Sequence, residues 1–217
     1  MPPNPLPPLS LLETRILGVL VEKQLATPDY YPLTLNALVA GCNQKTSRQP
    51  VMNAAGRDVQ ATLDDLRSRT LVIETSGGRV MRYEHNVNRV LGIGDAMVAL
   101  LASLMLRGPL TAAELRGACE RLYRFSDISS VDAYLEDMIT RATIPLVVKL
   151  PKQPGSREHR WAHLLSGPVE SAAAPDTAEP PSGNADEVAA LRSEVASLRD
   201  ELAALRALVE TLREPGY

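Results

Sequence analysis

Pro32-Leu33-Thr34-Leu35-Asn36-Ala37-Leu38-Val39-Ala40-Gly41-Cys42 returns later in the chain as Pro109-Leu110-Thr111-Ala112-Ala113-Glu114-Leu115-Arg116-Gly117-Ala118-Cys119. The Pro-Leu-Thr triplet, Leu38 and Cys42 all recur at one offset, 77 residues. Further on, Val59, Leu63, Leu66 and Arg69 recur as Val131, Leu135, Met138 and Arg141 at an offset of 72. The first copy therefore carries about five extra residues between its second and third helices. Matches at fixed spacing point to two copies of one fold.

The elements of one copy follow from local signals. Ser10-Leu-Leu-Glu13 is a capping box that opens a helix running to about Leu25. Thr34 caps a second helix, to about Cys42. A third runs from about Ala55 to Arg69 and buries Val59, Leu63 and Leu66 at helical spacing. Leu71–Thr75, a glycine turn at Gly77-Gly78 and Val80–Glu84 then read as a β-hairpin. The second copy repeats the order: a helix over about Gly94–Leu106, a capping box at Thr111/Glu114, a third helix over about Ser130–Arg141, and a hairpin pairing Leu146–Leu150 with His159–Leu164. Three helices and a hairpin describe a winged helix. The fold class predicted is mainly α with small β-hairpins: tandem winged helices at 9–89 and 92–166. A disordered Pro-rich leader (1–8) precedes them, and a flexible linker (167–184) rich in Ala, Pro, Ser and Asp follows.

The chain then ends in a heptad array at 185–214. Val188, Val195, Leu202 and Val209 occupy a; Leu191, Leu198, Leu205 and Leu212 occupy d. An apolar seam repeating about every 3.5 residues winds helices into a left-handed coiled coil, and mostly β-branched a with Leu at d favours two strands. Glu187, Glu194 and Glu201 at g face Arg192, Arg199, Arg206 and Arg213 at e. A parallel homodimer pairs these opposite charges, whereas an antiparallel one sets like on like. Each exposed pair contributes at most about 0.5–1 kcal/mol, but several act together. The predicted partner is thus a second copy of the chain. With no polar residue at a or d, a trimer stays open, as does a partner helix from another protein.

Composition narrows the function classes. One Trp, one Phe and six Tyr leave the core to aliphatic residues. The net charge of −3 hides a split: residues 1–166 carry 19 Lys and Arg against 16 Asp and Glu, and the remainder is acidic. A mildly basic body is weak support for a nucleic-acid partner. Cys42 and Cys119 stand in no metal-ligand spacing, so no metal or cofactor is expected. The longest apolar run, Ala96–Leu106, is too short for a bilayer and reads as a helix buried nearly all round. With no signal-peptide pattern at the N-terminus, a cytoplasmic protein with no membrane partner is expected.

Glu22-Lys23-Gln24, Thr27-Pro28, Tyr31-Pro32-Leu33, Cys42-Asn43-Gln44-Lys45-Thr46, Arg48 and Pro50-Val51-Met52-Asn53 resemble the YceH-like family. So do Tyr123, Phe125-Ser126-Asp127, Pro154-Gly155, Arg157-Glu158 and His163. The resemblance covers about residues 9–167, and the Asn43–Asn53 segment is its most specific part. It implies a bacterial tandem winged-helix protein, in agreement with the repeat, and implies no activity.

Candidate binding residues cluster in three places. The loop Asn43-Gln44-Lys45-Thr46-Ser47-Arg48-Gln49 holds amides, hydroxyls and two cations with no acid, the groups that position phosphates or read base edges. Its alternative is a loop whose polar groups satisfy helix ends. The second wing offers Lys149, Lys152, Arg157 and Arg160, and the first offers Arg79 and Arg82. The third helices pull the other way. The outer face of the first offers Arg57, Gln60, Asp64, Arg67 and Arg69 with Asp58 and Asp65 close by, and that of the second, the more acidic, offers Asp132, Glu136, Asp137 and Arg141. Carboxylates facing phosphates cost affinity. His159 and His163, with Trp161 between them, read as a hairpin face.

No nucleophile motif, phosphate loop or metal triad is present, so no enzyme is expected. The leading expectation is a dimeric DNA-binding transcriptional regulator. In it Asn43, Gln44, Lys45, Thr46, Arg48 and Arg57 act at the first unit, and Arg79, Lys152, Arg157 and Arg160 contact the backbone. The alternative is a protein-interaction scaffold that uses apolar or acidic winged-helix surfaces without reading DNA.

Overall fold

Ser10 opens helix α1 (Leu11–Ala26) through the expected capping box: its Oγ accepts from Glu13 N at 3.2 Å, and Glu13 Oε2 accepts from Ser10 N at 2.6 Å. The computed structural model describes residues 7–169 apart from 77, 79, 142, 143, 153, 154 and 157. The expected coiled coil at 185–214, nearly all of the linker and most of the leader lie outside the described residues.

The first unit continues with strand β1 (Leu33–Thr34), helices α2 (Leu35–Cys42) and α3 (Gly56–Ser68), and the hairpin β2 (Val72–Ser76) and β3 (Met81–His85). A short helix α4 (Val87–Leu91) leads into α5 (Asp95–Arg107), α6 (Ala112–Ala118) and α7 (Ile128–Ile139). The hairpin β4 (Val147–Lys149) and β5 (Trp161–His163) completes the second unit. The element order is therefore three helices and a hairpin, twice. Thr34 caps α2, and Thr111 with Glu114 caps α6, as their side chains dictate. Helix α7 begins two residues earlier than the apolar spacing suggests, because Asp127 caps it, its Oδ1 accepting from Ser130 N at 2.7 Å.

Two features were not expected. Strand β1 joins the first hairpin in the order β1-β3-β2, with Leu33 opposite Tyr83. The second unit keeps a remnant of the same pairing as a single bridge between Leu110 and Trp161. Leu33 and Leu110 are repeat equivalents, and each faces a buried aromatic. Helix α4 closes the joint between the units, so the boundary near residue 90 is helical.

The core lies between the first helices of the two units. From Glu13 to Val21 every residue of α1 is buried, as are Ala96 and the run Val98–Leu106 of α5. Helices buried all round cannot stand alone in water. Here each covers the other: a methyl added at Gly18 would stand 2.8 Å from Leu106 Cγ and 3.5 Å from Met105 Cβ. Each leucine sealed there contributes roughly 1.5–3 kcal/mol. The apolar cluster runs unbroken from Leu9 through both units to Trp161. Leu9 N donates to Leu165 O at 2.8 Å, so the two ends of the body meet. Pro8, at the end of the expected leader, lines with Leu17, Val87, Met105 and Leu165 an apolar cavity of about 110 Å³ beside that joint.

Candidate nucleic-acid interface

Asn43 ends α2 and turns the chain into the loop that sets the first unit apart. Its side-chain amide clamps the far end of that loop, accepting from Ala54 N at 2.7 Å and donating to Ala54 O at 2.9 Å. Gln44 Nε2 donates to Thr46 Oγ1 at 3.1 Å. Ser47 takes a left-handed φ of 57°, and its carbonyl accepts from Arg48 Nη1 at 2.9 Å. Lys45 and Thr46 face outward.

Arg48 is the main correction to the sequence reading. Its side chain has no exposed surface. Nη2 lies 2.6 Å from Glu22 Oε2 on α1, Nη1 donates to Glu22 Oε1 at 3.1 Å, and Nε donates to Gly41 O at 3.1 Å. A second arginine, Arg15 of α1, is equally buried and donates to Cys42 O at 3.0 Å and Pro50 O at 2.7 Å. Burial, and then the neighbouring Arg48, push the Arg15 pKa down from its usual value. Gln49 N reaches across to Leu106 O on α5 at 2.8 Å. The loop is thus strapped to both central helices. Asn43 and Arg48 are spent inside it, and Arg48 offers nothing to a surface phosphate.

Of the remaining expected contacts, Arg57 is wide open, its side chain 89% exposed and 3.4 Å from Asp58. Lys152 is exposed at the second hairpin. Arg160 is engaged: Nη1 donates to Pro109 O at 2.8 Å and lies 3.2 Å from Glu114 Oε2. Arg79 and Arg157 lie outside the described residues. Lys45 and Arg57 belong to the first unit, Lys152 and Arg160 to the second.

The third helices carry the charges read from sequence, mixed on α3 and mostly acidic on α7. On α3, Arg67 is held between Asp64 at 3.2 Å and Glu74 at 2.5 Å, leaving Asp58 and Asp65 exposed. On α7, Glu136 and Asp137 are exposed and Asp132 is half-buried. Lys149 sits 3.0 Å from Glu136 and 4.9 Å over the Trp161 ring.

The buried polar groups are structural in character. His85 Nε2 bonds Gln24 Oε1, and its backbone N donates to Tyr31 Oη at 2.7 Å. Burial pushes His85 down to about 4, against a smaller pull from Asp95, and burial alone does the same to His163. Burial raises both Cys42 and Cys119 to about 11, so neither thiol is activated. Among the described residues no group of three or more His, Cys, Asp or Glu could hold a metal ion, and no helix is long and apolar enough to cross a membrane.

One surface was missed from sequence. Between α6 and the start of α7 runs an open groove of about 720 Å³, lined by Arg116, Gly117, Glu120, Arg124, Phe125 and Ile128. The signal was present in the spacing of Ala113 and Gly117, which leaves one face of α6 bare.

The family model described as "Protein of unknown function, DUF480" matches residues 9–156. The chain belongs to the DUF480 family. A UPF0502 protein of Methylibium petroleiphilum is 57% identical over 187 residues, covering 85% of this chain and 80% of the relative. One from Leptothrix cholodnii is 59% identical over 165 residues, covering 76% and 74%. The YceH-like resemblance fits this family. In this DUF480 member the residues that carried the resemblance tie the fold together. Glu22 holds Arg48, Gln24 and Tyr31 hold His85, and Asn43 clamps Ala54.

Proposed function

We propose that this DUF480 protein is a non-enzymatic interaction adaptor, built from two winged helices and joined in pairs by its C-terminal coiled coil. The observation that carries this reading is the outer face of α7, where Asp132, Glu136 and Asp137 stand with Lys149 as the neighbouring cation. A helix that enters a groove of DNA needs the opposite sign. The inward turn of Arg48 and the pairing of Arg160 with Glu114 further thin the basic surface. The test is retention of the full-length protein on heparin and on mixed-sequence duplex DNA at low and high salt. The adaptor reading expects it to flow through at moderate salt. Enrichment of an inverted repeat from genomic fragments would replace it with a dimeric DNA-binding regulator. That second reading is favoured by Arg57, wide open at the start of α3, together with the outward Lys45 and Thr46.

A further inference from the structure

We infer that the groove between α6 and α7 is a docking site for an acidic peptide segment of a partner protein that carries an apolar anchor. The inference rests on the adaptor reading and gives it a location and a ligand chemistry.

The groove is made by three local choices. Ala113 and Gly117 sit one turn apart on α6, and a side chain added at Gly117 would meet nothing within 4 Å, so the helix backbone is bare on that side. Phe125, 5% exposed, is wedged beneath and packs edge-on against Tyr134 at 5.8 Å, forming an apolar floor. Ile128, 45% exposed at the first turn of α7, continues that floor out to solvent. The exposed isoleucine beside the bare helix face gives the groove an apolar end that an anchor side chain could cover.

The rim supplies the sign. Arg116 and Arg124 are both exposed and line the groove; Glu120 is the acid among its lining residues. One guanidinium nitrogen of Arg116 donates to Ser126 O at 3.2 Å, which fixes the side chain along the groove and leaves its other donors available. Two guanidiniums over an apolar floor suit carboxylates flanking a leucine- or phenylalanine-like anchor, since a planar fork pairs bidentately with a carboxylate. The same rim could meet a phosphate backbone, and Glu120 would oppose either anion; what separates the two is the apolar floor of Phe125 and Ile128, which has no counterpart in a duplex backbone.

The internal repeat sharpens the contrast. In the first unit the equivalent connection is longer and turns its Arg48 inward onto Glu22 and Gly41. In the second unit the connection is shorter and its arginines stay on the surface. One copy has spent its loop on holding the body together, and the other keeps an open cleft.

The test is selection of displayed random dodecapeptides on the full-length protein, followed by fluorescence anisotropy with the selected peptides. The expected result is enrichment of sequences that combine Asp or Glu with Leu or Phe, and at least a tenfold loss of affinity in both Arg116→Glu/Arg124→Glu and Gly117→Leu. The leucine fills the groove at a position with open space around it and keeps the rim charge, so a charge effect and a steric one are separated. Circular dichroism melts check that both variants fold. No enrichment, enrichment without acidic residues, or binding unchanged in Gly117→Leu overturns the groove assignment. In that last case the adaptor reading survives with its surface elsewhere. Tight binding of a mixed-sequence duplex that Arg116→Glu/Arg124→Glu abolishes overturns both.

Discussion

Arg48 Nη2 lies 2.6 Å from Glu22 Oε2, and the arginine side chain is wholly enclosed while the glutamate keeps 18% of its side-chain surface. Removing one partner of such a pair strands the other, and Gly41 O loses its donor as well. Arg48→Ala should destabilise the protein by about 2–3 kcal/mol, the part-exposed glutamate holding the figure below the fully buried case. Arg48→Met with Glu22→Leu should recover part of that loss, because no buried charge is left unpaired. Urea denaturation reads both. An Arg48→Ala variant as stable as the parent would return Arg48 to the set of surface-binding candidates.

Gly18 of α1 lies against Leu106 and Met105 of α5. Gly18→Ala drives a methyl against Leu106 Cγ and Cδ2 at 2.8 and 2.9 Å. Overpacking of this kind costs about 1–3 kcal/mol. Leu106→Ala alone should cost about 2–5 kcal/mol through its cavity. The double variant should be more stable than the sum of the two predicts, since the new methyl enters the vacated space. A double-mutant cycle in urea measures that coupling; strict additivity would show that the helices separate there.

His85 and His163 titrate at about 4 in the folded protein because burial disfavours their charged forms. The unfolded chain binds those protons near the ordinary value of about 6.5. Between the two values the unfolded state holds more protons, so stability rises with pH across the window from about 4 to 6.5 and is lost as pH falls through it. Each histidine contributes a slope of about 1.4 kcal/mol per pH unit inside that window. His85 is faced by Gln24, Tyr31 and Asp95, and the pull from Asp95 is the smaller effect. Denaturation midpoints should fall between pH 6.5 and 5, while the ring protons of both residues hold neutral-imidazole shifts in NMR spectra.

Cys42 and Cys119 are both fully buried, with thiols pushed up to about 11. Iodoacetamide at pH 8 should leave the native protein unmodified and label both residues once urea unfolds it. Rapid labelling of one thiol in native buffer would mean that its helix opens locally.

The heptads at 185–214 predict that the full chain pairs with a second copy. Leu198→Asp with Leu205→Asp places charges at two d positions and should shift sedimentation from dimer to monomer without changing the far-UV signal of the body. An unchanged dimer would place the contact elsewhere.

What the sequence disclosed is what local chemistry decides. The capping boxes at Ser10/Glu13 and Thr111/Glu114 span three residues, and the structure has both. The burial of Val59, Leu63 and Leu66 follows from their spacing on one helix face. The repeat in Pro-Leu-Thr fixed the element order of the second unit from the first. Long-range partners left no such trace. Glu22 and Arg48 are 26 positions apart, and an arginine in a polar loop looks the same whether it faces water or the core. Strand β1 is two residues long, too short to show any alternation. The α6 groove rests on Ala113 and Gly117, a spacing of small residues that is visible in sequence but does not say whether a neighbour fills the gap.

The enclosure of α1 has a consequence for synthesis. Nine consecutive residues, Glu13 to Val21, have their burial completed by a helix that ends at Arg107. While a ribosome has released only the first unit, α1 can rest on α2, α3 and β3 but not on α5, and the side that faces α5 stays wet. The N-terminal half therefore completes its core only after residue 107 has cleared the exit tunnel. Nascent chains arrested before that point should be the ones that chaperones hold.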